Sequence, residues 1–259
     1  MKSLANKVET VLDLDRKIVG VKFLFDAQTF EACETKQVKH KMSYCNTVRL
    51  ATHGHGFKAE FNNFLCKASA RALGLLEPDN HVISGQDYYS FNMYNSIATA
   101  KGVQKEVTFI NHEIYGVQVM PLEKFQSKPD MVIMIMNPYQ SMRIVQGYSY
   151  HHGIAKNIKL TGNQGLCSEC TATPYENNDI NISMLCANTR FAADWKDHEV
   201  GAGMPYALFE RVADGLIKTI EGSDSDVRKE KIIKRLADKN IDLPIDLGTS
   251  YYKSGRKNR

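Results

Sequence analysis

The chain is expected to fold as one α/β or α+β domain, a mixed sheet flanked by helices, with a helical appendage at its C-terminus. Three observations predict this. Strand-like and helix-like segments alternate along all 259 residues. No low-complexity linker or internal repeat divides them. Hydrophobic residues make up 43% and charged residues 24%, a soluble globular composition on a length that can bury a real core.

Each element has its own signal. Leu4, Val8, Val11, Leu12 and Leu14 recur at helical spacing across residues 3–17. Residues 18–25 (IVGVKFLF) are β-branched and aromatic, which predicts a strand. Residues 43–76 read as two helical pieces broken at THGHGF, with Cys45 near the start of the first and Cys66 in the second. A helix is expected over 87–104, then strands at 107–110, 116–120 and 131–136. A helix over 139–150, a short strand at 158–160, a strand at 179–185 and a helix through Trp195 follow. In GAGMPYALFERVADGLIKTIEG, Pro205 suits a first helical position, and Leu208, Val212, Leu216 and Ile220 fall at i, i+4 spacing. The body is expected over 1–220. A charged helix near 226–239 and a basic tail make up 221–259. On that helix Val227, Ile232, Ile233 and Leu236 form a narrow stripe that must dock on the body or on a second copy, which leaves a homo-oligomer open. Lys253, Arg256, Lys257 and Arg259 predict a solvated, mobile end.

Charge and hydropathy narrow the function classes. Thirty-three basic residues stand beside 29 acidic ones, a net charge of +4 that exerts no strong pull on nucleic acid or a membrane surface. The longest apolar run, MVIMIM, is far shorter than the ~18–20 residues a membrane span needs. The N-terminus has no signal-peptide pattern, so the expected location is cytoplasmic. No Gly-rich phosphate loop is present.

The six cysteines therefore sit in a reducing compartment, where structural disulfides are rare. Free cysteines are commonly just small buried hydrophobes. Here several fall at element junctions, where a side chain can project into a cleft. Cys167 and Cys170 form a lone C-x-x-C without the strand, helix and later cis-Pro context of a thioredoxin-like dithiol. The spacing of Cys45, Cys66, Cys170 and Cys186 matches no compact motif.

Taken together, SYCNTVRLATHGHGF, FLCKASARALGLL, GLCSECTATPYENNDINISMLCANTRFAADW and EVGAGMPYALFERVADGL resemble domain-of-unknown-function family 169, a group of archaeal and anaerobic bacterial proteins. The resemblance covers roughly residues 15–220. It places family cysteines at Cys45, at Cys66 before Ala-Leu-Gly-Leu, at Cys170 in C-x-x-x-P-Y, and at Cys186 ahead of Arg190. Glu199 and Met204-Pro205 continue the pattern. Asn188-Thr189 depart from it by replacing the usual glycine region, and Cys167 is an additional cysteine.

The resemblance implies that Cys45, Cys66, Cys170 and Cys186 act as one set, with Cys167 as a neighbour or alternate. Four thiolates from distant loops suit a [4Fe–4S] cluster, one per iron corner, or a four-thiolate zinc. The absence of two close pairs and the kinship with anaerobes favour the cluster. The expected function is redox or sulfur chemistry on a small molecule. The alternatives are an electron-transfer or accessory protein with a redox partner, and a zinc-stabilised binding protein whose basic tail touches RNA or an acidic partner. A general acid beside the cluster would be a histidine or tyrosine, and Tyr44, His55 and Tyr175 are the candidates by chain proximity. Arg190 either pairs with Glu199 or holds an anionic substrate. His151 and His152 fall at a predicted helix end, where histidine suits the carbonyl-rich terminus.

Overall fold

The computed structural model describes residues 1–251. Its six strands are β1 (Val19–Leu24), β2 (Phe57–Glu60), β3 (Gly116–Pro121), β4 (Met131–Met136), β5 (Asn181–Ser183) and β6 (Val200–Pro205). They form one sheet in the order β2-β3-β1-β4-β6-β5, and every strand pair is antiparallel. Helices cover both faces, so the expected class of a sheet flanked by helices, with helices at the C-terminus, is the one observed.

The central strand β4 shows why both faces are covered. Its six residues are all buried, and they alternate sides. Val132, Met134 and Met136 enter one core with the helices Lys2–Leu12, Pro138–His152, Tyr206–Lys218 and Asp226–Asp238. Met131, Ile133 and Ile135 enter the other, which holds Val21, Phe23, Val119, Trp195 and three of the cysteines. A strand buried on both faces reads as a continuous apolar run, as MVIMIM does.

On the first face, the helices Pro138–His152 and Tyr206–Lys218 cross at paired glycines. A Cβ on Gly215 would lie 2.1 Å from the Gly147 carbonyl oxygen, so the backbones meet directly. The C-terminal helix joins this layer through Ile232 and Leu236, 4% and 2% exposed, while Val227 stays 64% exposed. Half of the expected stripe thus packs on the body. The expected basic end, residues 253–259, lies outside the described residues.

Several expected elements differ. The first helix stops at Leu12 because Asp13 turns left-handed (φ 56°). Between the two cysteine-bearing helices lies strand β2, where only a loop was expected, and Cys66 caps the helix Lys67–Ala72 rather than lying inside it. The expected helix at 87–104 is two, Gln86–Ser90 and Ile97–Glu106. Residues 107–110 are not a strand. Ile110 N–H instead donates to Ala72 O, at the end of the Cys66 helix. Residues 158–160 are held not by a ladder but by the Asn181 side chain, which bonds both Lys159 N–H and Lys159 O. Residues 200–205 form strand β6, which the sequence reading did not assign, and the helix expected to start at Pro205 begins at Tyr206.

Candidate functional site

The cysteine-bearing elements meet on the β6 side of the sheet. The segment Gly165–Ala172 is a π-helix that runs directly into the α-helix Thr173–Asn177. All eight of its residues are buried. π-Helical turns are rare and concentrate at functional sites. This one starts from a left-handed Gln164 whose carbonyl accepts both Ser168 N–H and Glu169 N–H. The Thr171 hydroxyl donates to Leu166 O at 2.7 Å.

Glycines let this helix settle onto the strand. A Cβ on Gly203 would stand 1.8 Å from Cys170 O, and one on Gly201 would stand 2.7 Å from Cys170 Sγ. At the helix start, a Cβ on Gly165 would lie 2.8 Å from Leu185 Cα and 2.9 Å from Cys186 N. Glu169, 3% exposed, bolts the helix down. Its carboxylate accepts Thr161 N–H at 2.6 Å, Gly162 N–H at 3.2 Å and the Ser183 hydroxyl at 2.5 Å. Asn181 Nδ2 donates to Glu169 O.

Four of the six thiols are buried here: Cys45, Cys167, Cys170 and Cys186. Cys45 lies in the helix Tyr44–Thr52, and Cys186 caps the helix Ala187–Ala193. The Thr189 hydroxyl lies 3.2 Å from Cys45 Sγ and 2.7 Å from Cys186 Sγ, so one hydroxyl joins two thiols from opposite halves of the chain. Cys66 is half-buried, and Cys33 stands apart at the end of the helix Ala27–Ala32.

The thiols feel one another. Burial pushes Cys45 up to about 12, with the nearby Cys186 and Cys66 adding to the rise and the Thr189 hydrogen bond opposing it. Burial raises Cys167 well above the usual thiol range, and Cys45, Cys66 and Cys186 raise it further. Cys170 is also raised, first by burial and then by Glu169, against a bond to Ser183. Without a cation Cys45, Cys167 and Cys170 are therefore neutral thiols at neutral pH. Among the described residues, no group of three or more histidine, cysteine or acidic side chains stands close enough together to hold a metal ion as placed. Thiolates are soft donors of the kind that zinc, copper(I) and iron–sulfur centres take.

These shifts give an expectation for the metal-free protein. A folded chain that keeps thiol protons beyond the ordinary value of 9.0, to about 12 at Cys45, binds more protons than the unfolded chain over that window. Stability is therefore full below about pH 9 and falls as pH rises through it. Urea midpoints measured from neutral pH to about pH 10 should drop at the alkaline end. A midpoint unchanged across that range would contradict the burial of the thiols.

The other expected site residues separate. Tyr44 is fully buried beside the thiols, and its hydroxyl lies 3.0 Å from Thr171 Oγ1. Burial raises its pKa strongly, so it is a neutral hydrogen-bonding phenol. Tyr175 is half-buried, packed edge-on against Phe23 at 4.8 Å. His55 is exposed beside Phe57 and not in the buried thiol core. Arg190 donates to Lys196 O, Met184 O and Glu199 O, so its guanidinium braces the loop ahead of β6 and is not turned to a substrate. The Glu199 carboxylate pairs with Arg16, 9% exposed, which also lies over the Trp195 ring at 4.5 Å. Burial pushes Glu199 up, but the bonds from Arg16 and Lys196 N–H outweigh it and hold the carboxyl below its usual range. His151, at the expected helix end, pairs with Asp214.

Sequence reasoning passed over Glu169, Thr189, Gly201 and Gly203. A carboxylate inside C-S-E-C and a G-A-G flanked by Val200 and Met204 were the available signals.

No solved structure matches the chain. It is 26% identical over 215 residues to the uncharacterized protein MJ0308 of Methanocaldococcus jannaschii, covering 82% of this chain and 91% of that protein. The family model DUF169, described as "Uncharacterised ArCR", matches residues 7–215, which hold the sheet, the π-helix and all six cysteines. The chain belongs to the DUF169 family.

Proposed function

We propose that this chain is an iron–sulfur protein that holds a [4Fe–4S] cluster on cysteine thiolates and uses it for redox or sulfur chemistry on a small molecule. One observation carries the reading. The Thr189 hydroxyl joins Cys45 of the helix Tyr44–Thr52 to Cys186 at the cap of Ala187–Ala193, and Cys45 shares one buried core with Cys167 and Cys170 of the π-helix. Cysteines that serve only as small hydrophobes have no reason to gather from three elements, because crowded thiols resist ionisation and gain little over alanine. A soft cationic centre reverses that balance, since each ligated thiol gives up its proton and its charge is then compensated.

Cys45, Cys66 and Cys186 would hold the cluster, with a fourth thiolate from the π-helix pair Cys167 and Cys170. When bound, such a cluster supplies electrons, or an open iron corner if only three thiolates bind. The chain's own contribution is the apolar wall of Trp195, Leu166 and Leu185, which keeps water from the thiols, and the Tyr44 hydroxyl as a buried polar group beside them. A binding protein built on a four-thiolate zinc and a noncatalytic electron carrier are the competing readings.

Anaerobically purified protein is expected to contain about four iron and four sulfide per chain. Cys45→Ser should abolish most of it, and Cys33→Ser should leave it unchanged. Stoichiometric zinc without sulfide would replace this reading with the zinc one. Electron transfer without turnover of any small molecule would make the protein a carrier.

A further inference from the structure

We propose that Cys45 and Cys186 are a redox pair that a peroxide oxidises to a disulfide in the metal-free chain, with Thr189 handing the proton from one to the other. The inference goes beyond the metal-site reading and does not depend on it, because it concerns the chain before any metal is bound. A chain that holds this disulfide has neither sulfur free to ligate a metal.

One hydroxyl brings the two sulfurs together. Thr189 is fully buried, and its Oγ1 lies 2.7 Å from Cys186 Sγ and 3.2 Å from Cys45 Sγ. The sulfurs are therefore within about 6 Å of each other, and a movement of a few ångströms brings them to the ~2 Å of an S–S bond. The helices that carry them meet a second time. Arg49, one turn after Cys45, pairs at 3.3 Å with Asp194, the last cap of the helix Ala187–Ala193. Two ties thus hold Cys45 and Cys186 near each other from opposite halves of the chain.

The bonding also gives the pair a direction. A hydroxyl has one proton and can donate it to only one sulfur, so at least one thiol must donate to the oxygen. Cys186 Sγ already accepts the Thr189 backbone N–H at 3.3 Å and is the nearer of the two sulfurs. Cys186 is therefore the acceptor and Cys45 the donor, in a relay that runs from S–H through O–H to S. Cys186, aided by both donors, attacks the peroxide. The O–O bond breaks, Cys186 becomes a sulfenic acid, and one water leaves. The Cys45 sulfur then displaces the sulfenic hydroxyl and forms the S–S bond. Its proton crosses Thr189 Oγ1 to the departing hydroxyl, which leaves as a second water. The two thiols give up two electrons, and the peroxide takes both. Disulfides of this kind in reducing compartments are transient and not structural.

The test treats the intact, reduced, metal-free chain with a small excess of hydrogen peroxide at neutral pH. Free thiols are counted after unfolding, and linked peptides are identified by mass spectrometry. Wild type is expected to lose two of its six thiols to one bond between Cys45 and Cys186, and dithiothreitol should restore them. Dimedone, which traps sulfenic acids, should mark Cys186 in Cys45→Ser and leave Cys45 unmarked in Cys186→Ser. Thr189→Val keeps the side-chain shape without the hydroxyl and should slow disulfide formation at least tenfold, and Thr189→Ser should recover most of the rate. Circular dichroism confirms that each variant is folded. The mapping on wild type needs no variant, so the pairing is tested even where a substitution fails to fold. Wild type that keeps all six thiols, a disulfide between another pair such as Cys167 and Cys170, or thiol loss without a disulfide would overturn the inference. A folded Thr189→Val that reacts as fast as wild type would overturn the relay. Iron and sulfide content of the untreated chain tests the cluster separately. A chain that forms this disulfide and assembles no cluster supports the inference and removes the cluster reading.

Discussion

Gly203→Ala is expected to destabilise the protein by about 4 kcal/mol or more, at the far end of single substitutions. The new Cβ would lie 1.8 Å from Cys170 O, 2.5 Å from Cys170 C and 2.7 Å from Cys170 Cα. All three are backbone atoms of a buried helix, so no side chain can turn aside. The π-helix must rise from β6, which strains the Glu169 bonds to Thr161, Gly162 and Ser183. It also carries the start of the helix at Gly165 away from Cys186. The urea midpoint should fall and metal content should fall with it. Gly102→Ala, at an open position, is the control. A Gly203→Ala protein as stable as wild type would show that the π-helix does not sit where it is described.

Arg143→Met is expected to cost about 3–5 kcal/mol, because it leaves a buried carboxylate without its cation. Arg143 is 1% exposed and Asp224 is 2% exposed, and their ion pair is 3.1 Å long. The guanidinium also reaches Thr219 Oγ1 and Leu216 O, and Tyr139 bonds the same aspartate. This network ties the helix Pro138–His152 to the turn that launches the C-terminal helix. Replacing both partners, Arg143→Met with Asp224→Asn, removes both charges and should recover much of the loss. Thermal melting measures both. Metal content should not change in either variant while the protein is folded, because this network lies on the opposite face of the sheet from the thiols.

The sheet was legible wherever its residues were β-branched or aromatic. Residues 18–25 and MVIMIM gave β1 and β4 within a residue or two. Apolar residues at helical spacing gave the helices Tyr206–Lys218 and Asp226–Asp238. β6 was not legible. Gly201 and Gly203 are poor strand formers, and they are there because the neighbouring helix needs room, a tertiary demand that no local pattern announces. Strand β2 was hidden behind the two glycines of THGHGF. The apolar stretch at 107–110 misled in the other direction, since Val107 and Ile110 are buried under a loop and not in a ladder.

The candidate site was partly legible. Cysteines at element junctions pointed to a shared centre, and the resemblance grouped them. Their local surroundings were not readable. Cys167 and Cys170 both lie buried in a π-helix, and nothing in G-L-C-S-E-C-T-A distinguishes it from an α-helix. Arg190, which the resemblance placed in the pattern, bonds the carbonyls of Met184, Lys196 and Glu199, a bracing role that the motif alone does not distinguish from a substrate clamp.

The most direct test of the cluster reading is the visible spectrum of wild-type protein, purified and reconstituted with iron and sulfide without oxygen. A brown protein is expected, with a broad absorption band that bleaches on reduction with dithionite and is absent from Cys45→Ser. A folded wild-type protein that stays colourless under those conditions, whether it carries zinc or no metal, would contradict it.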